Sequence, residues 1–142
     1  MKKAETFEEL AEVAIGTLKK MSKLKKPIVQ ICGPVSTGGL GSIDKNLDRF
    51  NKAIIAAKGN GLQVFDQVPF EKEIKRISQK YPITNGYCMP ILDVFYKKIF
   101  ESGHIKVALF LPDWKSSSGA TWERNLVTRL GIEVREYPQQ WL

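Results

Sequence analysis

The stretch PIVQICGPVSTGGLGS, residues 27–42, decides the fold class. A proline opens it, the apolar run Ile28–Cys32 follows, and the remaining residues form a turn that holds four glycines. An apolar run with β-branched residues between proline and glycine is typical of a short buried strand. Apolar residues then recur at helical spacing until Gly59. The sequence therefore predicts a strand, a glycine-rich loop and a helix.

The same alternation continues along the rest of the chain. Further apolar runs occupy residues 62–65, 105–111 and 132–137, and helical patterns occupy residues 6–21, 70–79, 89–100 and 120–130. Strands that alternate with helices and are apolar on both faces indicate a parallel sheet that helices cover on both sides. We predict an α/β fold, flavodoxin-like or Rossmann-like, with four to five strands and an extra N-terminal helix. Residues 80–87 are expected to form a loop that either covers the site or connects two helices.

Length and composition indicate one domain. The chain has 142 residues, of which 43% are hydrophobic and 26% charged, the balance of a globular protein. We expect an N-terminal helix and basic connector over residues 1–26 and an α/β core over residues 27–137. The N-terminus carries four acidic residues in its first twelve, unlike a signal peptide, and no apolar run is long enough for a membrane span. A cytoplasmic location is expected.

Cysteine, histidine and charge limit the cofactors and partners. Two distant cysteines and one histidine cannot form the usual zinc ligand sets, so we expect free thiols, no metal and no cofactor. The net charge is +7, and five lysines lie within residues 19–26. Such a cluster can attract nucleic acid, or it can simply complement a helix C-terminus. Because no nucleic-acid motif accompanies it, we favour the second interpretation and keep a nucleic-acid accessory role as an alternative.

Two loops are expected at the carboxyl edge of the sheet, where ligands of open parallel sheets bind. In the first, Gly33 and Gly38 have the spacing that begins a P-loop, but Gly39 and Leu40 stand where lysine and a hydroxyl residue are needed. What remains is an amide-rich turn with the hydroxyls of Ser36 and Thr37. It either suits an anion such as phosphate or only permits a tight turn.

The second loop carries the residues most typical of a catalytic site. Residues 116–119 supply three serines and a glycine before a predicted helix, and Glu123 follows one turn later. A carboxylate there can reach a ligand at the sheet edge, or it can only stabilise the positive end of the helix. Trp114 and Trp122 flank the loop; they either stack on a nucleobase or, as we favour, pack into the core.

Three motifs in this order resemble the nucleoside 2-deoxyribosyltransferase-like superfamily, and especially its DUF4406-type branch. They are Ile31-Cys32-Gly33-Pro34, Leu111-Pro112-Asp113-Trp114 and Ser118-Gly119-Ala120-x-x-Glu123. The resemblance covers residues 28–137. It implies a flavodoxin-like or Rossmann-like sheet, a homodimer or larger homo-oligomer, and cleavage or transfer of the N-glycosidic bond of a nucleoside or nucleoside 5'-monophosphate.

The resemblance also implies roles for individual residues. Glu123 would be the nucleophile that attacks the anomeric carbon, and Asp93 or Asp113 would be the acid. A tyrosine of the transferases has Gln30 at its apparent position, so hydrolysis is preferred over transfer. A non-catalytic nucleotide-binding protein of the same fold is the alternative. The sugar and the 5'-hydroxyl or phosphate would be held by the two loops, through Gly33, Ser36, Thr37, Gly38, Gly39, Ser117, Ser118 and Gly119.

Overall fold

Four parallel strands form one sheet in the computed structural model, which describes residues 3–83 and 88–142. The strands are β1 (Ile28–Cys32), β2 (Gln63–Val64), β3 (Ile105–Phe110) and β4 (Glu133–Glu136), and their spatial order is β2-β1-β3-β4. Helices flank the sheet, so the predicted flavodoxin-like or Rossmann-like α/β fold is confirmed with four strands. Residues 84–87 of the loop predicted over 80–87 lie outside the described residues.

Within the described part of the chain, five α-helices connect and cover these strands. They are α1 (Phe7–Met21), α2 (Ile43–Gly59), α3 (Glu71–Ser78), α4 (Lys97–Glu101) and α5 (Ser118–Arg129), with short 3₁₀ turns at Val68–Phe70, Trp114–Ser116 and Gln139–Trp141. The single α-helix predicted over residues 89–100 is wrong in part, because Ile91–Tyr96 is π-helical and precedes α4. Its apolar residues keep a spacing that also fits an α-helix, so the pattern could not distinguish the two.

The sheet is buried on both faces. Ile28 and Cys32 of β1 belong to the core beneath α1, α5 and the π-helical segment, whereas Val29 and Ile31 belong to the core beneath α2. This alternation is the two-residue period of a strand. The exception is β4, whose residues are mostly exposed. It is an edge strand that pairs with β3 alone among the described strands, and three of its four residues are charged.

Side-chain caps fix where α1, α2 and α5 begin. Thr6 accepts a hydrogen bond from the Glu9 amide at 3.1 Å, Ser42 from the Lys45 amide at 3.2 Å, and Ser117 from the Ala120 amide at 3.1 Å. Each cap satisfies one of the free amides of a first helical turn. Within residues 3–83 and 88–142, no helix has both the length and the apolar character needed to cross a membrane.

The strand order determines where a ligand can bind. From β1 the chain passes through α2 to β2 on one side, whereas β3 lies on the other side of β1. The loops that follow β1 and β3 therefore diverge at a topological switch point, which is the usual ligand site of open α/β sheets. These are the two loops that the sequence indicated.

Candidate functional site

A cavity of about 380 Å³ opens at the carboxyl edge of the sheet. Its walls come from the loop after β1, the first turns of α2, the segment from Gln67 through α3, the π-helical segment and the N-terminus of α5. The volume lies within the range of small-molecule sites. The cavity therefore occupies the position that the topology favours.

Glu123 lies at the inner end of this cavity. It is the sixth residue of α5, it is only 6% exposed, and its Oε2 atom has no hydrogen-bond partner among the described residues. The pKa of its carboxyl is raised to about 8, chiefly by burial; a hydrogen bond from Cys32 acts to lower it, and the negative charge of Glu71 acts to raise it. Residues of the loops after β1 and after β3 line the same cavity, so Glu123 and both loops meet there.

The Cys32 thiol is hydrogen-bonded to the Glu123 carboxyl. It ends β1 and is fully buried. Burial raises the pKa of its thiol well above the ordinary value, and the neighbouring Glu123 adds to the effect. The residue is therefore a neutral thiol that donates a hydrogen bond rather than a thiolate nucleophile. Cys32 and Cys88 are both free, as expected from the sequence.

Glu71 is a second carboxyl in the cavity, and sequence reasoning missed it. It is the first residue of α3 and lines the same cavity as Glu123. Burial raises its pKa to about 7. In the sequence it resembles an ordinary acidic residue in a first helical turn. Only the path of the chain from β2 back over the edge of β1 brings it to the site.

Other polar groups on α3 and just before it complete the wall. Gln67 is 4% exposed and lines the cavity, and its Oε1 atom has no partner among the described residues. Lys72 and Lys75 are exposed residues of α3 that also line the cavity. The cavity thus combines two carboxyls and an amide inside with two ammonium groups at its exposed side.

Hydrogen bonds tie the two loops to each other. The Gly39 amide donates to Ser116 Oγ at 2.8 Å, and the Ser118 amide donates to Thr37 Oγ1 at 3.1 Å. Asn46 of α2 accepts from the Leu40 amide at 2.8 Å and donates to two carbonyls of the first loop. These bonds use groups of Thr37, Gly39 and Ser118, which the family resemblance would give to a ligand.

The eight predicted sugar and phosphate contacts therefore divide into two groups. Gly33, Ser36, Ser117 and Gly119 line the cavity, whereas Thr37, Gly38, Gly39 and Ser118 do not. Gly38 and Gly39 have φ values of 67° and 64°, and a Cβ on Gly38 would lie 2.1 Å from the Ser116 carbonyl oxygen. For these two glycines the structure supports the tight-turn interpretation over the anion interpretation.

Neither predicted acid lies in the cavity. Asp113 forms a two-point ion pair with Arg49 of α2, with both N–O distances at 2.8 Å. This pair attaches the loop after β3 to α2 and holds the carboxylate away from Glu123. Asp93 is exposed on the outward side of the π-helical segment, while Ile91 and Tyr96 of the same segment line the cavity.

The two tryptophans also lie outside the cavity. Trp114 packs edge-on against Phe110 at 5.8 Å, and the Arg124 guanidinium lies 4.3 Å from its ring centroid. Trp122 packs against the core on the α1 side of the sheet. The structure therefore supports the packing role that we favoured over base stacking.

Comparisons of this chain with family models, with curated proteins and with solved structures return no match. The chemistry of the cavity must therefore be argued from its own residues. Within the described part of the chain, no group of three or more His, Cys, Asp or Glu side chains could hold a metal ion. The reactive groups of the cavity are the two neighbouring carboxyls of Glu71 and Glu123, whose raised pKa values let them give and take protons near neutral pH.

Proposed function

We propose that this protein hydrolyses the N-glycosidic bond of a nucleoside or nucleoside 5'-monophosphate, with Glu123 as the nucleophile. One observation carries the proposal: the buried carboxyl of Glu123, whose Oε2 atom has no partner among the described residues, shares a cavity with a second carboxyl, Glu71. Paired carboxyls on a scissile glycosidic bond are the usual means of its hydrolysis. The family resemblance of the motif around Glu123 points to the same chemistry.

The reaction proceeds in two balanced steps. The Glu123 carboxylate attacks the anomeric carbon, the carbon–nitrogen bond breaks, and Glu71 gives its proton to the departing base. Water, deprotonated by the Glu71 carboxylate, then attacks the anomeric carbon of the glycosyl ester, releases the sugar and restores Glu71 to its protonated form. Glu71 takes the role for which Asp93 and Asp113 were predicted, because it lines the cavity and they do not.

The pKa values of Glu71 and Glu123 predict that the enzyme is active over a narrow range of pH. With pKa values of about 7 for Glu71 and about 8 for Glu123, the two carboxyls hold close to one proton between them at slightly alkaline pH. These pKa values place the proton mainly on Glu123, so the reactive arrangement, with the proton on Glu71 and Glu123 ionised, is the minor form of the pair, and the developing positive charge of the sugar stabilises it. We expect a bell-shaped dependence of kcat/KM on pH, with its maximum between about 7 and about 8.

Base release from a panel of ribo- and deoxyribonucleosides and their 5'-monophosphates tests the proposal by chromatography. Glu123→Gln should abolish release from every substrate. Glu71→Gln should abolish release of purines and pyrimidines. A pyridinium nucleotide, whose base leaves without being protonated, should still release its base in a single burst, after which the glycosyl ester hydrolyses slowly because Glu71 no longer activates the water. The exposed Glu101 provides the matched control, and Glu101→Gln should behave as the wild type. Release that survives Glu123→Gln would refute the assignment.

A covalent intermediate gives a second test. A nucleoside with fluorine at the 2'-position slows hydrolysis of the glycosyl ester because it destabilises the oxocarbenium-like state. Incubation with such a compound should add the mass of one fluorinated sugar to the peptide that contains Glu123. Absence of the adduct, together with normal turnover of the parent nucleoside, would indicate direct attack by water.

A non-catalytic nucleotide-binding role is the second candidate. The observation that favours it is the raised pKa of Glu123, because a carboxyl that is protonated at neutral pH can donate a hydrogen bond to a ligand but is a poor nucleophile. In that case calorimetry would detect nucleotide binding that depends on Glu123, with no base released by the wild type.

A further inference from the structure

A second cavity, of about 440 Å³, lies at the opposite edge of the sheet. It is formed where the connector after α1 enters β1 and where α4 leads into β3. Four basic side chains line it, and no Asp or Glu is among its lining residues: Lys25, Lys26, His104 and Lys106. It is separate from the cavity of Glu123, because one lies at the amino ends and the other at the carboxyl ends of the strands.

A β-bulge presents one of these side chains. Ile28 pairs with Ile105, but the next residue, Val29, pairs with Val107, so Lys106 is an extra residue in the ladder. Lys106 is also the exposed position of the otherwise buried β3. Bulges re-aim a side chain out of the regular alternation. Here the bulge directs a lysine of a central strand to the basic cavity.

The lysines of this cavity are not neutralised by neighbours. The ion pairs of the described residues involve Arg49, Lys52, Arg76, Lys80, Arg124 and Arg135. None of them uses Lys25, Lys26 or Lys106, and among the described residues the Lys26 ammonium donates one hydrogen bond, to the Gly61 carbonyl at 3.3 Å. These three lysines also lie outside the last turn of any helix, so the helix dipole does not explain them as it explains Lys19 and Lys20.

We propose that this basic cavity binds a ligand with clustered phosphate groups. Several unpaired cations in one concave site create a positive potential that favours a polyanion over a singly charged ion. The cavity is lined by lysine ammonium groups and no arginine. Lysine ammonium groups bind phosphate as point charges, so several of them around one cavity suit a ligand whose negative charges are clustered. The clustered phosphates come from a free polyphosphate or from successive phosphates of a nucleic-acid strand.

Calorimetry with two probes, tripolyphosphate and a short oligothymidylate, tests the site and identifies the source of the phosphates. Lys25→Gln/Lys26→Gln/Lys106→Gln should weaken binding roughly tenfold or more, since each lysine supplies a charge-assisted contact. Lys45→Gln/Lys52→Gln/Lys97→Gln removes the same charge from positions outside the cavity and should leave binding within roughly twofold of the wild type.

Each outcome of the calorimetry either supports or refutes the basic cavity as a phosphate site. Cavity-dependent binding of tripolyphosphate alone identifies a free polyphosphate, and cavity-dependent binding of the oligonucleotide identifies a nucleic-acid backbone. If the two triple variants weaken binding equally, only the net charge acts and the site is refuted, as it is if neither probe binds the wild type. Glu123→Gln should leave this binding unchanged, so the outcome does not depend on the proposed glycosidase.

Discussion

A buried carboxyl that keeps its proton near neutral pH makes the stability of the protein depend on pH. The pKa of Glu123 rises from an ordinary 4.5 to about 8 on folding, so between these values the folded chain binds a proton that the unfolded chain has lost. The contribution to stability is complete below the unfolded pKa and is lost as pH rises through the folded pKa, at about 1.4 kcal/mol per pH unit.

Glu123→Gln should remove this dependence, because the amide has nearly the same shape and cannot ionise. We expect the free energy of unfolding of the variant, relative to the wild type, to increase steadily from pH 5 to pH 8 when both are measured by urea denaturation. Glu101→Gln, at an exposed position, should follow the wild-type curve. A Glu123→Gln curve parallel to that of the wild type would mean that the carboxyl is ionised in the folded protein.

Gln30 is a buried polar residue of β1 whose side chain should lower the stability of the fold. It is fully buried in β1, and neither its Oε1 nor its Nε2 atom has a partner among the described residues. A buried amide without partners is destabilising, so Gln30→Met should raise the free energy of unfolding by about 1 kcal/mol. The control is Gln63→Met, because the Gln63 amide donates to the Lys26 carbonyl at 3.0 Å and its removal brings no gain. Destabilisation by Gln30→Met would show that its amide is satisfied.

Among the elements, the loop after β1 depends on contacts with the loop after β3. Gly38 has a φ of 67°, and a Cβ there would lie 2.1 Å from the Ser116 carbonyl oxygen, which belongs to the backbone. Gly38→Ala should therefore cost at least about 2 kcal/mol, from backbone strain together with displacement of the second loop. Gly41, with a φ of 91° and no atom within 4 Å of an added Cβ, provides the control.

Gly41→Ala should suffer the backbone strain alone, about 1 kcal/mol. Thermal unfolding of the two variants measures the difference. Equal losses for Gly38→Ala and Gly41→Ala would mean that the contact with Ser116 gives way without cost. A larger loss for Gly38→Ala, with impaired nucleotide binding at the neighbouring cavity, would confirm that the two loops form one unit.

The elements also show which features a sequence can predict. The strand, loop and helix of residues 27–59 followed from hydrophobic period and glycine, because both are local. The role of Gly39 did not, since its amide bonds to Ser116, which is 77 residues away. Glu71 likewise has an ordinary helical context, and only tertiary structure buries it. Asp113 was placed on the correct loop, but its partner Arg49 comes from another element and removes it from the cavity.

At the scale of the whole molecule, the sheet separates two kinds of chemistry. The carboxyl ends of the strands hold the cavity with Glu71 and Glu123, and the amino ends hold the cavity with Lys25, Lys26 and Lys106. Parallel strands keep the two cavities apart, because all their carboxyl ends lie at one edge of the sheet and all their amino ends at the other. Each connection leaves a strand at the first edge and returns to the next strand at the second. The sequence already showed the basic cluster and Glu123 on separate segments. That Lys106 joins the basic cluster could not be predicted, because the bulge that re-aims it is visible only in the pairing register of β1 with β3.

The unpaired positive charge at the amino-terminal edge should make stability depend on salt. With a net charge of +7 and lysines gathered at one edge, mutual repulsion destabilises the folded chain at low ionic strength, and salt screens it. Raising sodium chloride from about 10 mM to about 200 mM should increase the free energy of unfolding on the order of 1 kcal/mol.

Lys25→Gln/Lys26→Gln/Lys106→Gln should be more stable than the wild type at low salt and nearly insensitive to salt. Lys45→Gln/Lys52→Gln/Lys97→Gln, with the same net charge, should keep most of the dependence, and equal behaviour of the two variants would show that the repulsion is spread over the whole surface.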